Sequence, residues 1–117
     1  ITGMAYPYGT YNDEVVQILK KCKIQYARSV VSSGAFKLQK NLLIFKPTCH
    51  HADENIWELL EKFLKEKSEE KQLFYIWGHS YEFDVNNNWK RMEEILDRLI
   101  GHNNIFYGTN REVLLPC

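Results

Sequence analysis

The 117 residues carry 15 Lys plus Arg against 15 Asp plus Glu, so no basic excess draws in a nucleic-acid backbone or an anionic membrane surface. The longest apolar runs fall far short of the ~20 residues of a membrane span. Cys22, Cys49 and Cys117, odd in number and without Cys-x-x-Cys spacing, indicate neither a disulfide framework nor a structural zinc site, and reduced thiols are the default.

A chain of this length holds one domain or a piece of one, with a modest core. In chain order, residues 4–6 read as the end of a strand that Pro7 and Gly9 break. Asn12 then caps a helix whose first turn carries Asp13 and Glu14, favourable at the positive end of the helix dipole, and whose apolar stripe is Val15, Ile18, Leu19 and Cys22. Residues 24–30 suit a buried strand. Ser32, Ser33 and Gly34 mark a loop, and residues 42–45 form a short extended run ended by Pro47. Asp53 caps a second helix, with Ile56, Leu59, Leu60, Phe63 and Leu64 on one face and its end near Ser68. Residues 73–77 make a continuous apolar run, as in a strand covered on both faces. A third helix follows Asn86, Asn87 and Asn88, turns Trp89, Met92, Ile95, Leu96 and Leu99 inward and stops at Gly101; residues 105–107 are the last strand. Strands alternating with helices predict an α/β fold.

The apolar strand at 73–77 delivers His79 into a loop followed by Tyr81, Glu82, Phe83 and Asp84. Carboxyl ends of strands are where such folds hold reactive groups. An earlier segment, Ala5-Tyr6-Pro7-Tyr8-Gly9, carries a rigid turn. Together with Tyr26-Ala27-Arg28, Pro47-Thr48-Cys49-His50-His51 and Gly108-Thr109-Asn110, these segments resemble the polysaccharide deacetylase family, carbohydrate esterase family 4, almost end to end.

The resemblance implies a partial (β/α) barrel of about four mostly parallel strands and three helices, forming the carboxyl-terminal portion of a single deacetylase domain. It implies a metal-dependent hydrolase that cleaves the amide of N-acetyl sugars. The family's Asp-Asp and His-x-x-x-His motifs, which supply the base and the metal ligands, would precede Ile1. A divalent metal, zinc by resemblance, is therefore expected in the complete domain and none in this chain. The partners implied are a carbohydrate substrate and either the amino-terminal half or a second copy of the chain, with no nucleic acid and no membrane. A noncatalytic carbohydrate-binding or assembly domain built on the same fold is the alternative.

By resemblance His79 is the catalytic acid, since an imidazole holds and releases a proton near neutrality; the plain alternative is a buried histidine bonded to a backbone carbonyl. Tyr8 takes the oxyanion-hole position, or sits in an ordinary turn. Ala5 stands where the family has an arginine, and Arg28 either reaches into the pocket in its place or makes a surface ion pair with Glu14. Tyr6, Trp77, Arg28 and His50 are the expected substrate-binding residues, with a helix-capping loop role as the alternative for His50. His50 and His51 are not expected to share a metal, because adjacent residues of an extended segment point to opposite sides. Glu82 and Asp84 stand too close along the chain for a glycosidase pair, and Asp84 is expected to cap the third helix.

Overall fold

A computed structural model describes residues 1–116 and separates into two units. The first comprises Ile1–Val31, Gln39–Pro47 and the chain from Asn104 onward, and the second Ser32–Leu38 with Thr48–Asn103. Each holds one two-stranded parallel sheet and its own helices, so the chain is mixed α/β.

In the first unit, β1 (Gly3–Ala5) pairs in parallel with β2 (Tyr26–Arg28) in the register Gly3↔Tyr26, Met4↔Ala27, Ala5↔Arg28. The pairing continues through a parallel bridge from Arg28 to Phe45. Tyr6, Ala27, Leu43 and Phe45 are buried. Helix α1 (Asp13–Lys21) starts where expected, because the Asn12 side chain accepts the Val15 N–H at 2.8 Å, and acids at its start and lysines at its end complement the dipole. None of its residues is buried, and Val15 and Ile18 stay exposed. Leu19 is only partly covered, so among the described residues the apolar stripe read from the sequence stays outside the core.

The second unit pairs β3 (Cys49–His50) in parallel with β4 (Ile76–Trp77), in the register Cys49↔Ile76, His50↔Trp77. Around this pair lie α2 (Ile56–Lys65), α3 (Tyr81–Val85) and α4 (Trp89–Leu99). Cys49, Ile56, Leu60 and Ile95 form the buried centre, with Leu59, Phe74, Ile76, Met92 and Leu99 packed against it. Ile56, Leu59, Leu60, Met92, Ile95 and Leu99 are the apolar positions at helical spacing in α2 and α4, and such a side chain contributes roughly 1.5–3 kcal/mol when fully buried. Phe36, Phe63 and Phe74 add a ring cluster with centroids 5.4–5.7 Å apart.

Three strand expectations change. Residues 42–45 form a 3-10 turn at Leu42–Ile44, because the Asn41 side chain captures the Leu43 N–H at 3.2 Å and curls the backbone, leaving Phe45 alone in a bridge. Residues 105–107 form no strand, and Asn110–Leu114 forms a short helix, α5, behind a Thr109–Glu112 capping box. Strand β3 falls in a stretch with no strand periodicity, since two residues are too few to show one. Among the described residues the sheets are two separate pairs and no barrel closes. No helix among the described residues is long and apolar enough to cross a membrane.

Candidate functional site

The second unit gathers three histidines around one carboxylate. Strand β3 ends at His50, and the chain turns at once: Asp53 N–H donates to His50 O at 3.0 Å. That turn brings the His51 ring round to the side of His50, with ring centroids 4.1 Å apart. Alternation of sides holds only while a strand continues, so the expectation that the pair diverges fails here. Arg91 of α4 fixes the turn by donating from Nε to His51 O at 3.0 Å and from Nη2 to Asp53 O at 2.8 Å.

Glu82 stands in the first turn of α3, and its N–H donates to His79 O at 3.1 Å, so the turn that leads into the helix brings the two side chains to one side. Its Oε2 lies 3.0 Å from His50 Nε2 and 2.7 Å from His51 Nε2, and its Oε1 lies 2.9 Å from His79 Nδ1. Gly78 makes the close approach feasible: a Cβ there would collide with the His51 ring. The His51 ring is buried against Phe83, at 4.4 Å between centroids. Trp77 sets a ring edge on His50 at 4.8 Å.

Hydrogen-bond geometry assigns the protons. Ala52 N–H donates to His50 Nδ1 at 3.0 Å, so the His50 hydrogen resides on Nε2 and faces Glu82. Burial, with His51 alongside, pushes the His50 pKa down and keeps its ring neutral, against the pull of Glu82. The His79 hydrogen bond, ahead of the contributions from His50 and His51, holds the Glu82 carboxyl below its usual range despite some desolvation. An ionised Glu82 accepts from His79 Nδ1–H and leaves Nε2 of that ring to solvent; the side chain is 53% exposed. His79 is thus neither buried nor bonded to a backbone carbonyl.

The remaining expected residues are placed as follows. Tyr8, Tyr6 and Arg28 belong to the first unit, and His50, Trp77 and His79 to the second. Tyr8 is 95% exposed in the turn Pro7–Gly9, with a left-handed φ of 55°. Tyr6 is 4% exposed and donates its hydroxyl to Leu43 O at 2.7 Å, so it is a core residue rather than a substrate platform. Arg28 donates from Nη1 to Ser29 O at 3.0 Å. Asp84 does not cap α4; it lies inside α3 and accepts from Trp89 Nε1 at 2.7 Å. Asp53 acts just ahead of α2, where its side chain accepts the Asn55 N–H at 2.9 Å. Sequence reasoning set Glu82 aside with Asp84, and the signal that finds it is its i, i+3 relation to His79 at the start of a helix.

Neither a protein-family model, nor a curated protein, nor a solved structure matches the chain.

Proposed function

We propose that the chain is the carboxyl-terminal part of a metal-dependent deacetylase of N-acetyl sugars, an arc of a (β/α) barrel, with His79 as the acid that protonates the leaving amine. The observation that carries the proposal is the His79–Glu82 pair, a strand-end imidazole held at Nδ1 by an ionised carboxylate at 2.9 Å with its other nitrogen open to solvent.

Amide hydrolysis passes through a tetrahedral intermediate whose nitrogen leaves only after it is protonated. His79, protonated at Nε2, gives that proton to the sugar nitrogen as the C–N bond breaks; acetate and a free amine result. Glu82 holds the ring's orientation through Nδ1–H and stabilises the imidazolium before transfer. The exposed ring face lets solvent return the proton afterwards. A divalent cation, when bound, supplies Lewis acidity toward the water and the acyl oxygen. By resemblance its ligands are the family's Asp-Asp and His-x-x-x-His motifs, which do not occur in these 117 residues.

The test is acetate release from N-acetylglucosamine oligomers by the full gene product. His79→Ala should lower kcat by ~10²- to 10⁴-fold with KM nearly unchanged, and His102→Ala, in the loop after α4, should leave it as it was. An unchanged kcat in His79→Ala contradicts the proposal. Sugar binding without acetate release by the folded protein would favour the noncatalytic carbohydrate-binding alternative.

A further inference from the structure

We propose that His50, His51 and Glu82 form a site for one zinc ion, carried by the second unit itself. The inference rests on these three residues and not on the deacetylase reading.

One ligand atom from each residue lies within 4.8 Å of the other two, and His50 Nε2 and His51 Nε2 both face Glu82 Oε2. Zinc binds imidazole nitrogen and carboxylate oxygen at about 2.0–2.2 Å, which sets tetrahedral ligand atoms roughly 3.3 Å apart. The observed separations of 3.0 and 2.7 Å to Glu82 Oε2 need only open by a few tenths of an ångström. Two imidazoles and one carboxylate are a ligand set that leaves a fourth position for water or substrate. Solvent reaches that position, since the His50 and Glu82 side chains are 24% and 21% exposed.

A second observation points the same way. The His51 side chain is 4% exposed, and its Nδ1 is buried with no hydrogen-bond partner among the described residues. Packing against Phe83 and beside the His50 ring holds Nε2 aimed at Glu82; zinc at Nε2 places the ring hydrogen on Nδ1, where a buried water has to accept it. The supporting residues fit as well: His79 holds Oε1 of Glu82 and so aims Oε2 into the cluster, while Arg91 fixes the His50–Asp53 turn through its carbonyls.

Metal entry requires His50 to move its hydrogen from Nε2 to Nδ1. That breaks the bond from Ala52 N–H, an exposed residue whose amide water can satisfy. Imidazole ligands select zinc and its transition-metal neighbours over magnesium and calcium, which prefer all-oxygen shells.

The experiment is calorimetric titration of the untagged, chelator-stripped chain with zinc chloride and, separately, magnesium chloride, alongside circular dichroism of every variant. One zinc per chain with a dissociation constant below about 1 µM is expected, with no comparable magnesium site. His50→Ala and Glu82→Gln, whose side chains are partly exposed, should each weaken zinc at least ~100-fold with the fold retained, and His102→Ala should change nothing. His51→Ala should do the same as His50→Ala, but its burial makes the other two variants decisive. A folded chain with no zinc site tighter than about 100 µM, or a site that survives both His50→Ala and Glu82→Gln, overturns the proposal. Zinc bound as expected together with absent acetate release by the full gene product would count against the deacetylase reading alone.

Discussion

Three imidazole rings meet one carboxylate at Glu82, and each ring's second nitrogen has a different fate: His50 Nδ1 takes a backbone N–H, His51 Nδ1 is buried without a partner among the described residues, and His79 Nε2 faces solvent. Such sorting, rather than the number of histidines, sets what each can do. His79 can exchange protons, while the other two are confined to holding something between them and Glu82. A neighbouring residue is closed to chemistry for the opposite reason. Cys49 is fully buried, and burial, reinforced by Asp53 and only partly offset by Arg91, pushes its thiol up to about 11. Thiolate is the reactive form, so at pH 8 an alkylating reagent should label exposed Cys22 within the time that leaves Cys49 untouched until denaturant is added; mass spectrometry of the peptides reads both. Because its folded pKa lies above the unfolded value of about 9, Cys49 contributes stability that is complete below pH 9 and declines as pH rises toward 11. Rapid native-state labelling of Cys49 would contradict its placement. Of these residues His79 was legible from its strand-end position. The convergence of His50 and His51 was not, because it depends on a turn that follows a two-residue strand.

Among the elements, the long helices were legible in extent, whereas the strands were legible only in place: the readings at 4–6, 24–30 and 73–77 overlap β1, β2 and β4, and β3 was missed. Helices α1, α2 and α4 each repeat an apolar face over nine or more residues, long enough for a period of 3.6 to declare itself. The strands are two or three residues long, and tertiary pairing alone defines them. Periodicity also says nothing about whether a face is covered, as α1 demonstrates. This difference has a measurable result. Leu60→Ala or Ile95→Ala removes a fully buried side chain between α2 and α4 and should cost ~2–5 kcal/mol, whereas Ile18→Ala on the open face of α1 should stay within ~0.5 kcal/mol. Chemical denaturation of the three variants decides it, and a cost for Ile18→Ala comparable to the other two would mean that its face is covered in solution.

Across the whole molecule, the residues with chemical capacity are divided unevenly between the two units. The first unit spends Tyr6 on its core and exposes Tyr8; the second assembles His50, His51, His79 and Glu82 from β3, the turn after it, the end of β4 and the start of α3. The α/β alternation was readable along the chain, while the partial barrel was implied by the resemblance alone, and the sheets among the described residues are two separate parallel pairs. What positions the cluster is local: a turn, a glycine without a Cβ, and a helix start. The central claim is that Glu82 fixes the proton positions of these rings, and a long-range proton–nitrogen NMR spectrum of the imidazoles in the metal-free chain tests it most directly. At a pH of about 8.5, two units above an ordinary imidazole pKa, the hydrogen should sit on Nε2 of His50 and on Nδ1 of His79, and Glu82→Gln should return His79 to a tautomer mixture. A His79 ring that carries its hydrogen mainly on Nε2 in the unaltered chain, unmoved by Glu82→Gln, would contradict it.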